Sequence, residues 1–529
     1  MDETFPLFRQ WVPEWLIKII LFLVITPSMV LFFLPLANIN AAAGHYGSEP
    51  ADIQFAVALF YAGYAGFYSL EVRFFKYLAT KEYFIIFTFL QIVLAFFCFQ
   101  THDLHILFPL RFVQGMVFAS MVNLSISVIF SRLHTERSRE VGYSVFFGML
   151  ICVVPFNNFV TADVIDSFNF NMVYKCLIFS YLPGLFMLLI AMNNVRMNVR
   201  FPLYQLDWQS FSLHSILLTL IGYVLIFGQE YYWLQDHRIM YSILGIAGLS
   251  VVYVFRQFSI KRPYTNLSIF TYRNFNMGAL LLFILYICRF ASGITNGFFA
   301  SVLKFDPRHI SYINLINIAG LTTGVIISCC LILQKKKIRY IWLWGFSMLL
   351  VFHVMMFFLF NIQANENVFF TPLFIQGLGT GLLMTPIIVF AISSVPASIG
   401  HSAASFCLIV RYVGFCSSIA IINYFELYQK SRHFNAFQDH ITSTDPAVRQ
   451  TLATRTSHLL SLGMSHGKAV TESNKLLVGA INEQTTIRFA MDYYEMMSCL
   501  LIATVFFIAL FPYLNRTIIN LKSKRLAPV

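Results

Sequence analysis

Charge is what this sequence lacks most. Only 11% of its 529 residues are Asp, Glu, Lys or Arg, against 58% hydrophobic, and the mean hydropathy is +0.70. So little polar material cannot coat a water-facing surface, which excludes a string of soluble domains. Cysteine is sparse too: the nine present fall inside apolar runs, and no CxxC pair occurs. That excludes a disulfide framework and a zinc site, leaving small hydrophobes between helices. No small-residue cleavage site follows the first apolar core, so that run reads as a retained span rather than a signal peptide. No His or Asp pair marks a membrane-surface transferase, and neither a cofactor nor a metal is expected.

What is present is a succession of apolar runs of about 20 residues, the length that crosses a bilayer. The chain therefore reads as an all-α polytopic membrane protein with lipid as its solvent. The first six spans are expected near 16–38, 53–71, 83–100, 105–130, 141–162 and 171–192. Two more, near 211–228 and 239–255, stand between polar breaks. Six follow near 275–303, 309–333, 340–361, 369–392, 402–426 and 489–514. This gives three units: a six-helix bundle over 1–192, a linker with two inserted helices over 193–274, and a second six-helix bundle over 275–529.

The net charge of +12 raises nucleic acid and anionic lipid as partners, and the placement of the charge favours lipid. With a cytoplasmic N-terminus, the cytoplasmic segments hold 22 of the 36 Lys and Arg and the short external loops hold 3. By the positive-inside rule both termini are cytoplasmic. The segment 427–488 then lies outside. It is too long for a turn, and reads as a folded cap of short amphipathic helices, either a cover or a docking surface.

Span four carries "FPLRFVQGMVFASM" (108–121) and span twelve carries "TPLFIQGLGTGLLM" (371–384). The shared Pro-Leu…Gln-Gly frame recurs eight spans later, where two six-helix halves around an inserted pair would place it.

These residues resemble a known family. Arg111-x-x-Gln114-Gly115 is similar to the span-four motif of major facilitator superfamily drug antiporters. "LDWQS" (206–210), "IFGQEYYWL" (226–234) and "KRPYTNLSIFTYRNF" (261–275) resemble the inserted spans and the span-nine entry of the fourteen-span EmrB/QacA-like subfamily. "VPASIGHSAASFCLIVRYVGFCSSIAI" (395–421), with Arg411 and Gly414, resembles its run into span thirteen. The resemblance implies a major facilitator fold of six, two and six helices. It also implies export of hydrophobic or amphipathic small molecules from a bacterial inner membrane by alternating access. Its further implications are a proton gradient as driving force, and a periplasmic adaptor with an outer-membrane channel as partners of 427–488. The departures bear on coupling. Lys76 and Ala79 replace the acid and a glycine of the loop after span two, Thr26 replaces the span-one aspartate, and "VVPFNNFV" (153–160) keeps Pro155 but offers Asn157 and Asn158. Open alternatives are an uptake or metabolite-specific carrier, a transport-inactive sensor or scaffold and, last, a transferase.

Ionisable groups inside spans cost several kcal/mol and face a cavity or a partner. Arg111 has two readings: a structural arginine satisfied by carbonyls, by Gln114 or by the asparagines, or a charge facing the cavity that modulates a carboxylate or binds an anionic substrate, which makes Arg111 and Gln114 candidates for transport or proton coupling. Arg289 reads as a substrate contact or the partner of an acid, Arg411 as structural, and Lys175 as snorkelling. Among the acids, Asp492 and Glu495 share a face of span fourteen and are further candidates for proton coupling, whereas Glu71, Asp163 and Glu426 close spans. His353 reads as hydrogen-bonded packing. Tyr61, Tyr64 and Tyr68 form a hydroxyl stripe at helical spacing, placed with Asn157 and Asn158 towards the cavity. Gly115, Pro155, Gln376, Gly377 and Gly414 read as architecture. A C-terminal green fluorescent protein fusion is expected to fluoresce and an alkaline phosphatase fusion to be inactive; the opposite pair of results would invert the topology.

Overall fold

The computed structural model describes residues 7–75, 78–132, 138–195, 206–442 and 444–510. Lys76, Arg137, Arg196, Arg200, Arg516, Lys522, Lys524 and Arg525, counted above for topology, lie outside the described residues, as do parts of the loop 72–84 and the linker.

Lipid offers the backbone no hydrogen-bond partners, so each apolar run closes its own bonds as a helix. Among the described residues, fourteen helices are long and apolar enough to cross a membrane. The first half contains α1 (Glu14–Ala37), the short α2 (Ile39–Tyr46), α3 (Pro50–Phe75), α4 (Thr80–Gln100), α5 (Leu104–Arg132), α6 (Ser138–Ser167) and α7 (Met172–Ala191). The inserted pair is α8 (Trp208–Phe227) and α9 (His237–Ser259). In the second half come α10 (Arg273–Arg289), α11 (Ser292–Ser301), α12 (Pro307–Leu333), α13 (Ile338–Leu359), α14 (Asn367–Ser393) and α15 (Gly400–Tyr424). They are followed by α16 (Lys430–His440), α17 (Pro446–Ser461) and α18 (His466–Leu510). The fourteen spans fall where hydropathy puts them, in the six, two and six arrangement.

Packing obeys the same eight-span offset as the sequence echo. In the first half α3 crosses α5 closely, and in the second half α12 crosses α14. A Cβ on Gly115 of α5 would collide with Phe60 O of α3, and one on Gly377 of α14 with Asn317 O of α12. The Gln-Gly frame thus marks two equivalent backbone-to-backbone crossings, the close approach that small residues permit between membrane helices. The halves meet through α6 against α12 and α3 against α15, which the same offset interchanges.

Of the inserted pair, α8 packs on α3 and α15 and so covers the seam between halves, while α9 packs on α8. Tyr412 of α15 donates to Leu218 O of α8 at 2.7 Å. At the start of α8, Asp207 accepts from Ser210 N and pairs with Arg256 of α9 at 2.9 Å. Partial burial pushes the Asp207 carboxyl up, but the bonds from Ser210 and Arg256 outweigh that and hold it below its usual value.

The segment 427–488 differs from the expected cap of short helices. Span thirteen continues through a π turn (Phe425–Gln429) into α16, and α18 runs unbroken for 45 residues. At about 1.5 Å per residue α18 spans roughly 68 Å, over twice a hydrocarbon core of about 30 Å. The two form a projecting hairpin with α17 folded against α18. The reason is legible afterwards: Gly463, with φ +88°, ends the α17 turn, but no proline interrupts 466–510. Gly115→Ala and Gly377→Ala are each expected to destabilise the protein by about 1–3 kcal/mol through overpacking, lowering the thermal midpoint in detergent. Gly44→Ala, whose Cβ meets nothing within 4 Å, should not.

Candidate functional site

Two spans are broken, and they correspond under the eight-span offset. Span one stops at Ala37, turns at Asn38 (φ −138°, ψ 62°) and resumes as α2. Span nine stops at Arg289, turns at Phe290–Ala291 and resumes as α11. Interrupted helices in corresponding positions of two halves are where transporters place their sites, because broken backbone survives at membrane depth only beside protein or a cavity. Both breaks line one cavity of about 390 Å³ between the halves. It lies towards the face that carries the α16–α18 hairpin, with Asn40, Pro50 and Pro307 near that end and Glu426 among its walls.

Side chains from neighbouring helices satisfy the released carbonyls. In span nine Ser418 donates to Ile287 O at 3.1 Å, while Ala291 O, already accepting from Ile294 N and Thr295 N of the next helix, also receives the Tyr494 hydroxyl at 3.3 Å. In span one Pro35 has no N–H, so Leu31 O loses its helical donor. Arg111 replaces it: Nη1 donates to Leu31 O at 3.0 Å and to Gln114 Oε1 at 3.0 Å, and Nη2 donates to Phe32 O at 2.7 Å. Its guanidinium also lies 4.6 Å from the Phe60 ring centre. Fully buried, Arg111 ties α5 to the broken half of α1. Span nine contains no proline, and the span-twelve echo contains no arginine.

At its inner end the cavity shares Asn158, Phe290, Ser292 and Asn296 with a smaller polar pocket, which adds Arg289, Asn314, Asn317, Gln376 and Pro155. The amides form a ladder: Asn314 donates to Asn296 Oδ1 at 3.2 Å, and Asn317 to Gln376 Oε1 at 3.2 Å. Asn157 turns away instead and donates to Val30 O of α1 at 2.9 Å.

Beyond this pocket the seam is closed. Ser69 donates to Ser405 across the halves at 2.9 Å, Tyr264 to Gly66 O at 2.5 Å, and the Tyr68 and His401 rings stack 5.3 Å apart. Tyr64 and Tyr68 line a small void here with Arg411, while Tyr61 packs on Tyr412 and Phe415. Arg411 is buried with its guanidinium 5.3 Å from the Phe147 ring centre, and Gly414 allows Tyr286 to approach.

The acids are distributed differently from the sequence reading. Asp492 bonds His433 at 2.7 Å, tying α18 to α16 at the base of the hairpin, and Glu495 is exposed; neither lines the cavity. Asp163 forms an exposed pair with Arg308 of α12 at 3.1 Å, bridging the halves at the mouth. Glu71 closes the apolar stretch of span two (Pro50–Glu71), with α3 continuing as helix to Phe75, but it does not face the surface. It is fully buried, accepting from Tyr83 OH at 2.5 Å and from Asn123 Nδ2. His353 is buried with Nδ1 2.7 Å from Leu349 O. Sequence reasoning passed over Ser292, Asn296, Asn314 and Asn317. The signals were the Ser-Gly and Asn-Gly steps of "ASGITNG" (291–297) and the asparagines three apart in span ten.

No protein-family model matches the chain. The colistin resistance protein EmrB of Acinetobacter baumannii is 21% identical over 364 residues, covering 66% of this chain and 67% of EmrB. A solved POT family transporter in complex with 5-aminolevulinic acid aligns over 97% of this chain and 99% of its own, with TM-score 0.59 and 14% identity. The human organic anion transporter MFSD10 aligns over 79% and 95%, with TM-score 0.51 and 11% identity. The nucleoside transporter NupG aligns over 92% and 99%, at 0.52 and 11%.

The pairing of Arg111 with Pro35 can be measured. Arg111→Leu strands the Leu31 carbonyl and should lose about 1–3 kcal/mol of stability. In a Pro35→Ala background, which restores the missing N–H, the same change should cost less. Thermal unfolding of the four proteins gives the coupling; strictly additive effects would refute it. The chain shares the fold of these solved transporters, and over about two thirds of its length its sequence is similar to that of EmrB.

Proposed function

We propose that the chain exports hydrophobic or amphipathic small molecules across a bacterial inner membrane by alternating access. The observation that carries this reading is the cavity between the halves, flanked by the two corresponding helix breaks and closed at one end by the Ser69–Ser405 seam. Its walls combine Phe290, Phe415 and Ile419 with the amide ladder, a mixture that suits an amphiphile. With the orientation read from Lys and Arg, the cavity lies on the external side, as in the release step of an exporter. The same geometry serves uptake, so the direction of net movement decides between them.

Coupling to protons requires a carboxyl that can gain and lose a proton as the halves move. Glu71 fits better than Asp492: it is buried, held by two neutral donors, and pairs with no cation among the described residues. The projecting hairpin is where an adaptor leading to an outer-membrane channel would dock.

The test uses an efflux-deficient host and the neutral amphipathic dye phenylnaphthylamine. Expression of the chain should lower dye accumulation several-fold, and Asn296→Trp, which fills the cavity, should abolish the effect at unchanged protein level. In proteoliposomes Glu71→Gln should keep dye counterflow but lose dye-linked proton flux. Equal accumulation with and without the chain would refute export.

A further inference from the structure

We propose that the cavity selects amphipathic organic anions, a carboxylate or sulfonate on an apolar body, and that Arg289 is the residue that recognises the anionic group. This rests on the transport reading above and adds to it the charge of the substrate.

Three arginines lie at mid-span; Arg411 keeps Nε and Nη1 without a partner but is shut inside the closed seam, and of the three only Arg289 lines the polar pocket that joins the cavity. Arg111 is consumed by the carbonyls of span one. Arg411 is buried in the closed seam, on the far side of the polar pocket. Arg289 is only half-buried and lines the polar pocket. It forms no ion pair or hydrogen bond with any described residue. Its guanidinium rests against two rings instead, 4.9 Å from the centre of Phe290 and 5.2 Å from that of Tyr286. Such contacts fix the plane of the group while leaving its five N–H donors free.

The surroundings are short of negative charge. Among the residues lining the two connected spaces the single carboxylate is Glu426, an exposed residue at the hairpin end of the larger one. An unpaired cation at membrane depth is costly, and natural chains retain one where a cavity brings its partner. The partner that no described residue supplies is the ligand.

The remaining walls agree with this assignment. Asn296 offers its amide hydrogens beside Arg289, its Oδ1 being taken by Asn314. On the hairpin side Phe415, Ile419 and Ile422 form an apolar wall to the larger space. An acid head would sit at the helix break, between Arg289 and Asn296, and an aromatic or aliphatic body would occupy the 390 Å³ beyond it. The break is what makes this possible: in a continuous span nine, residue 289 would be followed by helix rather than by the open turn that faces the pocket.

Two probes that share an aromatic body and differ in charge test this: anilinonaphthalene sulfonate and neutral phenylnaphthylamine. The purified full chain in nanodiscs, corrected with empty nanodiscs, should bind the sulfonate about tenfold more tightly than the amine, the worth of one charge-assisted contact. Arg289→Gln should bring the two affinities together, and Arg289→Lys should restore part of the preference. Equal wild-type affinities, a preference that survives Arg289→Gln, or binding of neither probe would overturn the proposal. The two readings fail separately. Dye export without a charge preference removes the anion site alone; an Arg289-dependent preference with no movement of either probe removes export alone.

Discussion

A backbone carbonyl without a hydrogen bond is expensive anywhere in a protein, and in lipid nothing outside the chain can supply the missing donor. This constraint explains more of the molecule than any other. It makes every apolar run a helix, and it restricts broken helix to places where a neighbour reaches in. Spans one and nine are broken beside the cavity, and the donors that make this tolerable come from other helices: Arg111 for the carbonyl released by Pro35, and Ser418 for the Ile287 carbonyl released at the span-nine break. Each break is therefore wired to the bundle around it. A rearrangement of either half shifts the donors, and with them the shape of the site.

Seen this way the intramembrane arginines are three solutions to one problem. Arg111 is neutralised by carbonyl dipoles, Arg411 is enclosed among aromatic rings and tyrosine hydroxyls, and Arg289 stacks on rings while facing a cavity. Burial, not sequence motif, separates structural from exposed roles. The arginine that belongs to the family-like motif of span four is the one most fully occupied by the scaffold, and the one without a motif faces the pocket.

The glycine crossings supply rigidity around these breaks. Gly115 and Gly377 bring backbones together in the two halves at equivalent points, where a side chain would hold the helices apart. The Gln-Gly frame common to spans four and twelve is the written trace of that shared geometry, and Arg111 is the local addition that a proline in span one demands.

Spans, their number and their pairing across eight positions were legible in the chain, because each depends on local composition: about 20 apolar residues, a Lys or Arg at one end, a glycine where helices touch. The hairpin of α16 and α18 was legible only in part, since an amphipathic stretch without proline reads the same whether it ends or continues. The candidate site was less legible still. Arg289, Asn158 and Gln376 stood out as polar groups in apolar runs, but Asn296 and Asn317 did not, and Glu71 read as a residue at the end of a span. The sequence by itself determined a fourteen-span membrane protein of two related halves. Only the tertiary structure decided which polar side chains meet a carbonyl and which meet empty space, because that depends on how helices far apart in the chain lie against one another.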